Sequence, residues 1–112
     1  MQVQAQAKHI RVAPRKVRLL LRDLPGKRVD EALTILRFMP VPVAREIAKV
    51  VKSAAANAEN NYNLAVDDLR IVRATADEAK TLKRFRARAR GRPAPRLKRA
   101  SHITVVVEDT ET

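Results

Sequence analysis

No cysteine occurs in the 112 residues, which excludes a disulfide framework, a thiolate zinc site and a cysteine nucleophile, and suits a reducing compartment. Tryptophan is also absent, and Tyr62, Phe38 and Phe85 are the only aromatics, so any core must be built from Val, Leu, Ile and Ala. With Gly26 and Gly91 as the only glycines, no glycine-rich loop can cradle a phosphate. His9 and His102 are the only histidines; they have no HExxH spacing and no thiol to complete a metal site. Ser101 and His102 are neighbours at the start of a strand-like run, so their side chains should point to opposite faces rather than form a catalytic pair. Asp67-Asp68 suit a strand end or an arginine partner better than a shared catalytic proton. The chain is therefore expected to be no enzyme and to need no cofactor and no metal. The longest strongly apolar runs, Leu19-Leu20-Leu21 and Val105-Val106-Val107, are far too short to span a bilayer, and the opening MQVQAQAKHI lacks the apolar block of a signal peptide. A soluble intracellular protein is expected, with no membrane partner and no homo-oligomer.

What the chain has in excess is positive charge. Twenty-four Lys and Arg oppose twelve Asp and Glu, a net charge of +12. Residues 1–30 carry net +6, residues 31–79 net −1, and residues 80–112 net +7. A near-neutral centre between two basic ends points to a core-forming middle and two surfaces turned toward a polyanion. The length fits a single domain over 1–112, which buries roughly two-thirds of the surface exposed when unfolded.

Periodicity divides the chain into elements. Val3, Ala5 and Ala7 alternate with Gln2, Gln4, Gln6 and Lys8, predicting a strand within 2–12 with a change of phase near His9. Pro14 suits the first turn of a helix, in which Val17, Leu20, Leu21 and Leu24 form one apolar stripe opposite Arg15, Arg18 and Arg22. Leu24-Pro25-Gly26 stops it. Asp30 is the expected N-cap of a second helix running to about Met39 and burying Ala32, Leu33, Ile35 and Leu36. Pro40 and Pro42 separate it from a third helix, about Val43 to Asn60, with Val43, Ile47, Val50, Val51, Ala54 and Ala58 along one side. Strands are expected over Leu69–Ala76, whose facing is ambiguous, and over the β-branched His102–Val107. The order predicts an α+β domain with three helices packed on a small three-stranded antiparallel sheet.

Between the last two strands lies a stretch that cannot build a core. From Lys80 to Arg99 it holds ten basic residues and no acid: Lys80, Lys83, Arg84, Arg86, Arg88, Arg90, Arg92, Arg96, Lys98 and Arg99. Such a segment repels itself in water and needs an external partner to be well ordered. In Arg84 to Arg90 arginine occupies every second position, which on an extended arm sets the guanidinium groups on one side and Phe85, Ala87 and Ala89 on the other. Gly91 offers a turn, and Pro93 and Pro95 keep a returning arm extended. A long protruding basic β-hairpin over about 78–100 follows. Arginine grips phosphate through a planar fork, and the scarcity of aromatics leaves phosphate contact and shape recognition as the binding mode. The N-terminal cations Lys8, Arg11, Arg15, Lys16, Arg18, Arg22, Lys27 and Arg28 would dock the domain on the same polyanion. A solvated basic loop, a nuclear-localisation patch or a free-standing basic nucleic-acid chaperone or DNA-binding protein would carry similar charge. A membrane patch is disfavoured, because the apolar stripes are needed for the core.

Four blocks, KVRLLLRDLPGKRVDEALTIL, KSAAANAENN, DEAKTLKR and ARGRPAPRLKRASHITVVV, occur in the order of a known family. Across nearly all of its length the chain resembles the bacterial-type L-twenty-two family of large-subunit ribosomal proteins. The resemblance implies a cytoplasmic protein of the large ribosomal subunit that binds large-subunit rRNA and supports subunit assembly. It further implies a hairpin lining the peptide exit tunnel, beside ribosomal protein L-four and the nascent peptide. Leu82-Lys83-Arg84 would then lie on the hairpin, and Arg88, Ala89, Arg90, Gly91 and Arg92 at its tip. The QVQAQA start and the pair Pro93 and Pro95 depart from the family pattern.

Overall fold

In a computed structural model of the chain, residues 1–87, 91 and 93–109 are described, with the backbone alone for 83–87 and 93–96. The order is β1 (Gln2–Ile10), α1 (Pro14–Leu21), α2 (Val29–Arg37), α3 (Val43–Tyr62), β2 (Leu69–Glu78), β3 (Leu82–Ala87), β4 (Pro93–Lys98) and β5 (Ser101–Asp109). Strands β1, β5 and β2 form an antiparallel sheet with β5 in the centre, and the three helices make the fold α+β. The helices supply one side of the core. Val17, Leu21 and Leu24, Val29, Ala32 and Leu36, and Ile47, Val51 and Ala54 meet Val3, Ile71, Ile103, Val105 and Val107 of the sheet in one buried aliphatic cluster.

The ambiguous facing of β2 is resolved by a bulge. Register runs Ile71↔Val107 and then Arg73↔Val106, so Val72 is the extra residue. Its insertion turns Leu69, Ile71 and Ala76 all toward the core, although no single period of two relates them, and leaves Val72 exposed. The phase change expected near His9 is present as well: register shifts between Ala7 and Ile10, and His9 takes φ +59°. Val106 lies on the other face of the sheet, buried in register between Gln4 and Arg73.

Helix ends differ from expectation for local reasons. α1 stops at Leu21 rather than reaching Leu24, because Pro25 disfavours helical geometry in the residue before it. The chain turns there: Gly26, at φ +87°, donates its N–H to the Ile71 carbonyl at 2.7 Å, and Ile71 returns one to the Lys27 carbonyl at 2.9 Å. This turn covers the outer edge of β2. Asp30 is not the cap of α2. The helix begins at Val29 with Arg28 at the N-cap and no side-chain cap bond, while Asp30 and Glu31 sit in the first turn, where negative charge suits the helix dipole. α2 ends at Arg37, short of Met39, and leaves Leu33 and Ile35 only half-buried. α3 runs two residues past Asn60 to Tyr62; Asn63 then closes it in the left-handed conformation at φ +55°, which asparagine tolerates. β1 ends at Ile10, short of residue 12.

Strands β3 and β4 form their own two-stranded antiparallel ladder, from Leu82↔Lys98 to Ala87↔Pro93. Ala79 N–H still donates to the Ala100 carbonyl at 3.0 Å, so Lys80 and Thr81 together oppose Arg99, a second bulge on the path from β2 into β3. The molecule measures 66 × 26 × 17 Å with a radius of gyration of 17.1 Å, against about 13 Å for a compact chain near this size. Gly91 has the positive φ, +70°, that suits a turn. The expected tip residues Arg88, Ala89, Arg90 and Arg92 lie outside the described residues.

Candidate nucleic-acid interface

Where β1 leaves the sheet, the chain meets the base of the β3–β4 ladder. Ile10 pairs with Ser101, and the fully buried Ser101 hydroxyl donates to the Val12 carbonyl, fixing the segment before α1 to the start of β5. The His9 bulge adds a second tie. Its backbone N–H donates to His102 Nδ1 at 3.2 Å, and the two rings stand edge to face with centroids 4.9 Å apart. Nothing in the sequence placed these two histidines together; a register shift in an edge strand does so.

These ties open a groove of about 690 Å³ between the two basic segments. Arg11 and Lys16 line it from the N-terminal side, and Lys80, Lys98 and Arg99 from the base of the ladder. Val12, Leu82 and Leu97 give it an apolar floor, and no acidic residue among those described lines it. Leu97 is half exposed there. Five cations with no carboxylate among the described lining residues concentrate positive potential in one concavity, an arrangement that favours a polyanion.

From this groove a line of cations continues along α1. Pro14 lies beside Glu78 and Thr81 at the ladder base, and the Arg18 Nε donates to the Ala76 carbonyl at 3.0 Å. At its far end the chain reaches β2 through Gly26, and Arg28 bridges Arg70. Arg15, Arg18 and Arg22, at i, i+3 and i+7, share one exposed face of α1 and its C-cap, a line of roughly 10 Å beside β2. Arg18 is thus partly engaged by the fold, whereas Arg15 and Arg22 are exposed and form no ion pair among the described residues. Lys8 is exposed on β1 beside the His9 bulge.

The structure divides the cations expected from the sequence. Arg11, Lys16, Lys80, Lys98 and Arg99 converge; Lys27 and Arg28 sit at the opposite end of β2, with Arg70 as an addition that the sequence did not single out. Lys83, Arg84, Arg86 and Arg96 belong to the β3–β4 ladder by backbone position. The acid-free ladder base was legible as a charge run, but its meeting with Arg11 and Lys16 depends on the β1–β5 register.

The fold and the groove define a basic α+β protein whose cations from two distant segments gather in one concavity. No group of His, Asp or Glu able to hold a metal occurs among the described residues, and no helix among them is long and apolar enough to cross a membrane. Residues 5–108 match the family described as ribosomal protein L22p/L17e, and the chain belongs to that family. It is 52% identical over 111 residues to the large ribosomal subunit protein uL22 of Thermoanaerobacter pseudethanolicus, covering 99% of this chain and 100% of that protein. Against the protein of the same name from Dehalococcoides mccartyi it is 54% identical, over 97% and 100% of the two chains. The Finegoldia magna protein is 48% identical over 99% of each.

Proposed function

We infer that this chain is a structural constituent of the large ribosomal subunit, in the cytoplasm, and that it binds large-subunit rRNA rather than catalysing a reaction. The observation that carries the reading is the convergence of Arg11 and Lys16 with Lys80, Lys98 and Arg99 in one groove with no acid among its described lining residues. Family membership supplies the particle, and it favours this reading over a free-standing chaperone or DNA-binding protein. The mechanism is architectural. The cations of the groove and the α1 face neutralise RNA phosphates and release the counterions condensed on them, and the α+β body holds those cations in register with one another.

The finer placement is part of the same proposal. The single domain over 1–112 docks through Lys8, Arg11, Arg15, Lys16, Arg18, Arg22, Lys27 and Arg28. The basic hairpin, with Lys83, Arg84, Arg86, Arg88, Arg90, Arg92 and Arg96, runs along the wall of the peptide exit tunnel. There it neighbours L-four and the nascent peptide, and by bridging separate RNA segments it supports subunit assembly. An alternating-arginine sequence, a self-paired β3–β4 ladder and a long axis of 66 Å support this, together with the family resemblance. Because the chain has no cysteine, single introduced thiols can carry a cross-linker. In assembled subunits holding a stalled nascent chain, Ala89→Cys is expected to cross-link to that chain and Phe38→Cys is not. Cross-linking from Phe38→Cys alone would refute the tunnel placement.

A further inference from the structure

A second groove, of about 910 Å³, lies between α2 and α3 and shares none of its described lining residues with the first. Leu33, Leu36, Met39 and Ala48 make its floor. Arg37, Arg45, Lys49 and Lys52 form its rim, and no acidic residue among those described lines it. Arg45, Lys49 and Lys52 are exposed and follow one another at i, i+4 and i+7, a single row along α3. Lys49 has only the partly exposed Glu46, 3.7 Å away, as an ion-pair partner among the described residues, and such a pair is weak enough to exchange. Beside the groove, Phe38 is 76% exposed and Val41 is 40% exposed, with the Arg37 guanidinium 6.0 Å from the Phe38 ring centre.

The combination discriminates between two kinds of occupant. The cationic rim alone would suit phosphates as the first groove does; what sets this one apart is the exposed Phe38 and Val41 beside it, apolar surface whose water is displaced favourably only by an apolar partner face. An amphipathic helix uses both, laying an apolar stripe on the floor and acidic flanks against the rim. We propose that the α2–α3 groove docks a helical segment of a protein partner, apolar on one face and acidic on both flanks. Charge complementarity with Arg37, Arg45, Lys49 and Lys52 sets its specificity, and the floor supplies most of its affinity.

The test uses the full chain and a roughly 16-residue helical peptide with leucines at i, i+3, i+4 and i+7 and glutamates on both flanks. A control peptide has the same leucines and lysine flanks. The acidic peptide is expected to bind and to shift the methyl NMR signals of Leu36 and Met39, while the lysine peptide does not. Lys49→Glu with Lys52→Glu should weaken the acidic peptide by about tenfold or more, admit the lysine peptide, and leave rRNA binding unchanged. Ala48→Trp, which fills the floor, should abolish binding of the acidic peptide; the charge variants, confined to exposed residues, test the proposal even if that variant does not fold. Equal binding of the two peptides, shifts confined to other surfaces, or no binding at all would overturn it. So would loss of rRNA affinity in the charge variant without peptide binding, which would make the rim an RNA-binding surface instead.

Discussion

The β2–β5 ladder and the β3–β4 ladder lie along the same two runs of chain, yet they are maintained by opposite means. In the first, Ile71, Ala76, Ile103, Val105 and Val107 are buried beneath three helices, and burial of apolar surface holds the pairing. The second belongs to no larger sheet, and its sequence offers Phe85 as the only large apolar residue between 83 and 96, among arginines. What stabilises the first is inside the molecule; what the second is built to meet is outside it. The boundary is a bulge, Lys80 and Thr81 against Arg99, where the strands leave the core and the groove cations gather. On the proposed function, one pair of strands serves as scaffold at one end and as RNA-facing surface at the other.

Substitutions should separate the two regions. Ile103→Ala removes a fully buried side chain from the central strand and is expected to destabilise the fold by about 3 kcal/mol in chemical denaturation. A loss below about 1 kcal/mol would mean that the β2–β5 ladder does not depend on burial. Ser101→Ala leaves the Val12 carbonyl without its hydroxyl partner and should cost about 1–2 kcal/mol, with rRNA affinity falling too because the groove is no longer tied. Thermal unfolding and filter binding on the same variant check both effects. Gly26→Ala meets no neighbouring atom, so only its positive φ opposes it; a destabilisation of about 1 kcal/mol is expected, with rRNA binding unaffected. Substitution of the groove cations by glutamine should have the smallest effect on the fold, leaving the melting temperature within about 3 °C. A larger shift would show that those cations support the body as well.

Much of the body was legible in the sequence because one-face burial imposes a period. The α3 stripe from Val43 to Ala58 is buried as its spacing predicts, and the alternation of Val3 and Ala5 with Gln2 and Gln4 gives β1 its facing. The facing of β2 was not legible, since an inserted Val72 breaks the period and only the register with β5 reveals it. Asp30 misled because an acidic residue suits both an N-cap and a first turn, and the local sequence does not distinguish them. For the interface, the acid-free run from Lys80 to Arg99 announced a polyanion surface by composition. Its partners were hidden. Arg11 and Lys16 reach that run only through the Ile10–Ser101 pairing and the buried Ser101 hydroxyl, which join segments nearly ninety residues apart in sequence. Arg70 joins Arg28 for a similar reason, through a turn that pairs with the edge of β2.

The salt dependence of binding to large-subunit rRNA tests the central claim most directly. For the full chain, the logarithm of the affinity should fall linearly with the logarithm of salt concentration. Changing Arg11, Lys16, Lys80, Lys98 and Arg99 to glutamine one after another should flatten that slope by roughly 0.7–0.9 for each phosphate no longer neutralised. Lys49→Gln, which lies outside the groove, should leave the slope as it was. If the groove series kept the wild-type slope, the groove would not be the phosphate-binding surface.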